Sequence, residues 1–353
     1  MIIKSKIRDY SAEFVETSEF MKEIVTRPDH VFIIDNTVWD LYRESVLQEV
    51  PIDKTIIQPI NEDFKNLESV NKLYDRLVNL QAKKNITLVV IGGGILQDIC
   101  GYAASTLYRG VRWILMPTTL LAQADSCIGS KTSLNYKNYK NLIGTFYPPA
   151  EIFICPQFLF TLSELDYYSG LGEIVKLHIM AGAQKTEEIK IKLPLLKKRD
   201  FSTLRSVIEE SLQIKKAYIE EDEFDAGRRN LLNYGHCFGH AVETITNFEI
   251  PHGQAVVVGM MMANIVACKR GLLSRKTRDL IYNELLLPCL FTYWRQLGFE
   301  PDDLIQAMKK DKKRKGNCLA LIMMDDHFNF VSVNDLTEHE AHKAITELRD
   351  ANL

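Results

Sequence analysis

Four short apolar runs, His30–Asp35, Thr87–Ile91, Trp113–Met116 and Glu151–Cys155, read as strands, with helical stretches such as Val70–Lys83 between them. Alternating strands and helices have few ways to bury their apolar faces, and the usual solution is a parallel sheet covered by helices. Beyond about Phe160 the pattern turns helical, over Tyr167–Ala183, Leu204–Tyr218, Leu231–Thr246, Ala255–Cys268 and Arg275–Glu284. Leu193–Asp200 reads as a surface loop. The chain is therefore expected to be α/β + α, an α/β domain over residues 1–160 and an α-helical domain over 161–353. A length of 353 residues agrees with two domains at roughly 150 residues each.

The run Thr87–Ile91 leads into Gly92, Gly93 and Gly94, and Asp98–Ala104 then reads as the start of a helix. Strand, glycine turn and helix start is a geometry that turns backbone amides toward a pyrophosphate. The spacing is not the dinucleotide fingerprint GxGxxG, and a glycine turn without a ligand would look the same. A further strand, Trp113–Met116, ends in a Pro-Thr-Thr turn whose hydroxyls can bond a cofactor. Arg109, Lys131, Lys140 and Asn141 follow among Gly129, Ser130, Thr132, Ser133 and Gly144, with Asp125 as the nearby acid. Lysines more often make a solvated face, but small residues between them permit close approach to a phosphate or carboxylate.

The second half carries the densest chemistry. In NYGHCFGHAVE, His236 and His240 are four apart, so a helix presents both from one face, with Asn233 one turn before. His252 follows Pro251 at the mouth of the apolar segment Val256–Val266. Three imidazoles and an amide suit a metal or phosphate centre, although histidines also serve as hydrogen-bonded packing residues. No Glu follows the first His as in the zincin pattern, so the cluster lacks a carboxylate and needs a ligand from elsewhere. Glu173 in GLGEIVKLHIM is the candidate. It lies three residues from Lys176 between apolar neighbours, where an acid and a base are costly to bury unpaired. The two can be a ligand and a substrate-binding ammonium, or an internal ion pair.

The net charge of −3 offers no basic excess for nucleic acid, and the cations are clustered locally. No apolar segment reaches the roughly 20 residues of a membrane span. The longest, Ala255–Cys268, is interrupted by Gly259 and Asn264. The opening residues lack a signal-peptide core. Seven scattered cysteines without a CxxC pair point to a reducing cytoplasm. Cys237 adjoins His236 but belongs to a different helix face.

Together these blocks carry a resemblance. GGGILQD, YRGVRWILMPTTLLAQADSCIGSKT, KNLIGTFYPP, GLGEIVK, DEFDAGRRNLLNYGHCFGHAVE and PHGQAVVVGM are similar, in order and spacing, to the 3-dehydroquinate synthase family of the sugar phosphate cyclase superfamily. The likeness runs from about Val31 to Gly316. It implies a Rossmann-like NAD-binding domain followed by an all-α metal-binding domain, a carbon-oxygen lyase activity and a homodimer.

The resemblance further implies Glu173, His236 and His252 as ligands of zinc or cobalt, which moves His240 off the metal. It places the nucleotide against Asp35, Asn36, Glu62, Lys65, Gly93, Gly94, Asp98, Thr118, Thr119, Lys131, Lys140 and Thr161. The substrate-facing set it implies is Arg109, Asp125, Lys131, Lys140, Asn141, Lys176, Lys215, Arg229, Asn233 and His240, with a last lysine at Lys312 or Lys313.

The family's reaction closes a seven-carbon sugar acid phosphate into a carbocycle. NAD takes a hydride and later returns it, so it is recycled. Relatives acting on glucose 6-phosphate or sedoheptulose 7-phosphate tend to alter the position of Asn233 or the carboxylate-binding cations. Here Lys215, Arg229 and Asn233 are retained, which favours 3-deoxy-arabino-heptulosonate 7-phosphate. Another sugar phosphate or an amino analogue, or a metal-dependent polyol dehydrogenase activity, are the alternatives. The chain departs from the family pattern at Gln97 and Ser130, where glycine is usual, at Cys127 and Cys237, and in the tail after Asp311.

Overall fold

All four expected strands form, each within a residue of its expected ends. The computed structural model describes residues 1–15, 19–137, 139–291, 300–309 and 319–350. Its contacts divide the chain into two units, Met1–Leu162 with Lys216–Phe224, and Ser163–Lys215 with Asp225–Leu353.

In the first unit the elements run β1 (Ile2–Ile3), β2 (Tyr10–Phe14), α1 (Glu19–Thr26), β3 (His30–Asp35), α2 (Asn36–Tyr42) and β4 (Thr55–Gln58). They continue with α3 (Leu67–Asn79), β5 (Thr87–Gly92), α4 (Gly94–Thr106), β6 (Arg112–Pro117), β7 (Lys131–Tyr136), β8 (Tyr139–Phe146) and β9 (Glu151–Ile154). Seven strands form one sheet in the order β1-β2-β9-β6-β5-β3-β4. Its pairs are parallel except for β1 against β2. Phe32, Ile34, Val89, Ile91, Ile114, Met116 and Phe153 are buried in one core with Met21, Ile24, Val38 and Leu47.

From β3 the chain moves to β4 on one side, and from β5 to β6 on the other. The two strands are neighbours, so their carboxyl ends flank a topological switch point, the place where open α/β sheets bind ligands. Asp35 and Gly92 end these strands, and a Cβ on Gly92 would lie 3.4 Å from that of Asp35.

Helix α3 begins earlier than expected because the Asn66 side chain caps it by accepting from the Ser69 amide. It ends at Asn79, before Gln81 takes a left-handed φ of 54°. The hairpin of β7 and β8 gave no sequence signal, since β7 is polar apart from Leu134 and Tyr136 and no residue of β8 is buried. Helix α4 receives it through Gly101, where a Cβ would lie 2.7 Å from Thr132 Cγ2.

The second unit is helical, with α5 (Glu164–Met180), α6 (Ala183–Leu196), α7 (Phe201–Glu221), α8 (His236–Ile245), α9 (His252–Lys269) and α10 (Arg275–Ile281). Then follow α11 (Pro301–Lys309), β10 (Leu319–Met324), β11 (Phe330–Leu336) and α12 (Glu338–Asp350), with the two strands in an antiparallel hairpin. The last turns of α7 group with the first unit. Helix α9 is buried from Gly253 to Ala267, which explains its lack of a polar face.

Two expectations fail here. Leu193–Leu196 is not surface loop but the last turn of α6, held there by the buried Leu193 and Leu196 despite Pro194 inside the helix. Leu231–Thr246 is not one helix either. Gly235 takes a left-handed φ of 81°, so a 3-10 turn over Arg228–Asn233 is separated from α8, and Asn233 does not continue the helix that bears His236.

One buried acid ties distant sequence together in the first unit. Glu223, 2% exposed, accepts from Ser5 Oγ (2.6 Å), the Lys6 amide (2.7 Å) and Ser130 Oγ (2.6 Å). Ser130 has a φ of 65°, so its hydroxyl anchors a conformation that glycine adopts more readily.

Candidate active site

Glycine packing sets the geometry of the second unit's polar cluster. A Cβ on Gly253 would lie 1.8 Å from the Ser169 carbonyl oxygen, and one on Gly172 2.5 Å from that of Gly253. Helices α5 and α9 therefore touch backbone to backbone. Gly239 and Gly259 do the same for α8 and α9, the Gly239 Cβ position lying 3.1 Å from the Ala255 carbonyl oxygen. The three helices approach closely enough for short side chains to converge at the first residue of α9, His252.

There Glu173 from α5, His236 from α8 and His252 bring one potential ligand atom each within 4.8 Å of one another. Glu173 Oε1 lies 3.5 Å from His252 Nε2 and 3.9 Å from His236 Nε2. The Glu173 carboxylate is 1% exposed, and its Oε1 has no hydrogen-bond partner within the protein. Its charge partner is the buried Lys176, so the internal ion pair forms. A buried carboxylate with spare lone pairs, facing two imidazole nitrogens, fits the donor set of a divalent ion such as zinc. His236, His240 and His252 stack edge-on or tilted, with ring centroids 5.1–6.0 Å apart.

A carboxylate is not missing from the histidine cluster, contrary to expectation. Glu243 lies three residues after His240 on α8, is 4% exposed, and places Oε2 3.2 Å from His252 Nδ1. The spacing His236, His240, Glu243 puts all three on one helical stripe, which was the available signal. Burial pulls the His252 pKa down, but the charge and hydrogen bond of Glu243 and the charge of Glu173 outweigh it, so the net direction is up. In the same unit Arg229 and Lys215 are buried, at 4% and 7% exposure. Asn233 Nδ2 donates to the carbonyl and side-chain oxygens of Asn230, both at 2.9 Å.

The first unit gathers a second polar cluster. Lys65 Nζ lies 2.6 Å from Asp98 Oδ2 and 2.7 Å from Asn141 Oδ1. Ser133 donates to Asp98 through its amide and hydroxyl, both at 2.9 Å. Lys140 Nζ stands 3.7 Å from Glu62 Oε1, which also accepts from Asn135 Nδ2 at 2.8 Å. The structure thus brings Glu62, Lys65 and Asp98 together with Lys140 and Asn141, the last two carried on a hairpin the sequence had not disclosed.

At the switch point, Asp35 caps α2 by accepting from the Thr37 amide at 2.8 Å. Burial raises its pKa against the hydrogen bonds from Thr37 and Val38. Asn36 bonds Asp40 at 3.2 Å. Gly93 leaves no room for a side chain, its Cβ position lying 2.9 Å from Thr119 Cγ2, and Gly94 lies near Ser126. The Thr118 amide donates to the Gly92 carbonyl at 3.1 Å. Thr161 Oγ1 is 2.6 Å from the Tyr42 hydroxyl. Asp125 sits in the π-turn Ala122–Ser126 and Lys131 is exposed. Arg109 is exposed, with a left-handed φ of 66°. Lys312 and Lys313 fall outside the described residues.

Two departures from the family pattern have local partners. Gln97 is buried, its Nε2 donating to the Ser126 carbonyl at 2.7 Å and its Oε1 accepting from Ser126 Oγ at 3.0 Å. Ser130 is held by Glu223.

Residues 55–169 match the family described as 3-dehydroquinate synthase N-terminal, and residues 170–314 that described as 3-dehydroquinate synthase C-terminal. The chain belongs to the 3-dehydroquinate synthase family. The family's 3-dehydroquinate synthase from Dictyoglomus turgidum is 33% identical over 98% of this chain and 92% of its own. That of Legionella pneumophila (strain Lens) is 34% identical over 87% of this chain and 84% of its own. Among solved structures, 2-epi-5-epi-valiolone synthase from Streptomyces hygroscopicus subsp. jinggangensis, with NAD+ and Zn2+ bound, has a TM-score of 0.82 at 25% identity. It is covered over 99% of both chains. A 2-deoxy-scyllo-inosose synthase complexed with carbaglucose-6-phosphate, NAD+ and Co2+ has a TM-score of 0.87 at 23% identity, covering 98% of this chain and 99% of its own, a likeness of fold. The chain is a sugar phosphate cyclase and so a lyase. No helix among the described residues is long and apolar enough to cross a membrane.

Proposed function

We propose that this cyclase converts 3-deoxy-arabino-heptulosonate 7-phosphate to 3-dehydroquinate and phosphate, as a cytoplasmic homodimer in the shikimate pathway. The observation that carries the reading is the Glu173–His236–His252 group, a buried carboxylate and two imidazoles aimed at one point. Retention of Lys215, Arg229 and Asn233 in the same unit supports a substrate with a carboxylate.

In this reading residues 1–160 carry the nucleotide and residues 161–353 the metal. Glu173, His236 and His252 hold a zinc or cobalt ion, and Lys176 offsets the carboxylate's charge. Residues around the switch point would hold the nucleotide. Asp35 and Asn36 would accept and donate, Gly93 and Gly94 present backbone amides, and Thr118, Thr119 and Thr161 offer hydroxyls. Glu62, Lys65, Asp98 and Lys140 would supply further polar contacts. Bound NAD supplies a reversible hydride acceptor, and the ion a Lewis acid for the hydroxyl that is oxidised.

The remaining residues grip and orient. Arg229 and Lys215 bind the substrate carboxylate by charge-assisted hydrogen bonds. Arg109, Lys131 and Asn141, all in the first unit, offer cationic and amide contacts to the phosphate that leaves. Asn233 and His240 orient the ring hydroxyls, His240 from the same helical face as His236.

The test is phosphate release by the purified protein supplied with zinc and NAD. The heptulosonate 7-phosphate, sedoheptulose 7-phosphate and glucose 6-phosphate are offered in parallel while NADH absorbance is followed. Release from the heptulosonate alone, with no net NADH, is expected. Release from a sugar phosphate without a carboxylate would sink the assigned substrate and leave the cyclase class intact.

A further inference from the structure

The two nitrogens of His252 face two different carboxylates. Nε2 lies 3.5 Å from Glu173 Oε1, and Nδ1 lies 3.2 Å from Glu243 Oε2. A neutral imidazole carries one proton, so only one nitrogen can offer a lone pair to an ion, and the partner of the other decides which. An ionised carboxylate can only accept, so Glu243 fixes the proton on Nδ1 and leaves the Nε2 lone pair directed toward Glu173. His236 follows the same logic with a different acceptor, for its Nδ1 lies 3.2 Å from the Tyr234 carbonyl oxygen while Nε2 faces Glu173 at 3.9 Å. Both imidazoles thereby present Nε2 to one point.

We propose that Glu243 is the positioning residue of the metal centre, holding His252 in the Nδ1–H tautomer and fixing its ring plane without itself binding the ion. This rests on the metal reading given above. Carboxylates behind metal-bound imidazoles fix ring orientation and raise ligand basicity, and their loss weakens metal affinity about 10- to 100-fold. The position of Glu243 makes the role specific. It stands on α8 three residues beyond His240, and His240, Glu243 and His252 bring their own donor atoms within 4.8 Å. Glu243 could therefore serve as a ligand of a displaced ion, and the experiment must separate the two roles.

The test compares Glu243→Leu, Glu243→Gln and Glu173→Gln in the full chain. Zinc dissociation constants come from chelator competition at fixed pH. The visible absorption of the cobalt-loaded protein reports ligand geometry, and circular dichroism reports the fold. Glu243→Leu should bind zinc about 10- to 100-fold more weakly and alter the cobalt spectrum. Glu243→Gln, whose amide oxygen can still accept from Nδ1, should recover part of that loss. If Glu243→Leu fails to fold, the intermediate affinity of Glu243→Gln carries the test. Wild-type affinity with an unchanged cobalt spectrum in the folded Glu243 variants overturns the proposal. Glu173→Gln should lose zinc outright. Zinc retained there but lost in Glu243→Gln would make Glu243 a ligand and overturn the proposal. Zinc retained in every variant would overturn the metal reading itself.

Discussion

A Cβ on Gly259 would lie 1.9 Å from the carbonyl oxygen of Gly235, so α9 runs against the turn that launches α8 with no side chain between them. The contact is between two backbones, and neither can yield by changing a rotamer. Gly259→Ala is therefore expected to destabilise the protein by about 3 kcal/mol or more, at the upper end of overpacking effects. Because the same contact seats His236 beside His252, zinc affinity should fall as well. Urea denaturation and zinc titration check both, and an unchanged midpoint would refute the account of the interface.

Lys176 and Glu173 form a buried ion pair, and removing one member leaves the other uncompensated. Lys176→Met should destabilise the metal-free protein by about 3–5 kcal/mol. Zinc then becomes the neutralising charge, so its addition should raise the melting temperature more in the variant than in the parent. Equal increments in differential scanning calorimetry would argue that the ion is bound away from Glu173.

Gly93 separates two roles that usually travel together. In Gly93→Ala the new methyl meets Thr119 Cγ2 at 2.9 Å, while the Thr119 hydroxyl lies at 3.7 Å. The double variant Gly93→Ala/Thr119→Ser removes the crowded methyl and should recover the stability lost by the single change. It should not recover NAD affinity if the nucleotide packs against the bare backbone at residue 93. Calorimetric titration with NAD decides, and parent-like affinity in the double variant would remove Gly93 from the site.

Arg229→Ala should raise the Michaelis constant for the heptulosonate phosphate, since a hydrogen bond to a charged group contributes about 1.5–3 kcal/mol. The expected change is roughly ten- to hundredfold. An unaltered Michaelis constant would place the substrate carboxylate elsewhere.

Glu210 provides a pH signature outside the site. Burial would raise its pKa, but hydrogen bonds from Lys192, Ser206 and Lys185 prevail and hold it at about 2, below the ordinary 4.5. Between those values the unfolded chain binds the proton more readily than the folded one. The stabilisation is then complete above pH 4.5 and lost as pH falls toward 2. Glu210→Gln should flatten the fall in melting temperature over that interval relative to the parent. Parallel curves would show that the lysines contribute no net stability there.

The strands were legible because β-branched, apolar runs announce burial locally, and the blocks that carry Glu173, His236 and His252 because each is contiguous. The hairpin β7–β8 was not, since Lys131–Tyr136 is polar and is held by what it packs on, chiefly Gly101 of α4. That hairpin is also what brings Asn141 to Lys65, so their meeting could not be read from either residue. Glu243 lay in plain sight three residues after His240. Its partner His252 reaches it only through the glycine-mediated approach of α8 and α9. Leu193 and Leu196 misled in the opposite direction, because an adjacent proline and lysines masked two residues that belong to the core.

Glu223 gives the order of synthesis a structural meaning. The acid that fastens Ser5, Lys6 and Ser130 is translated after α5, α6 and α7, yet it belongs to the unit that begins at Met1. While the ribosome is still making those helices, the nascent sheet domain lacks the residue that locks its amino-terminal segment. That lock becomes available only after residues 163–215 of the other unit have been synthesised.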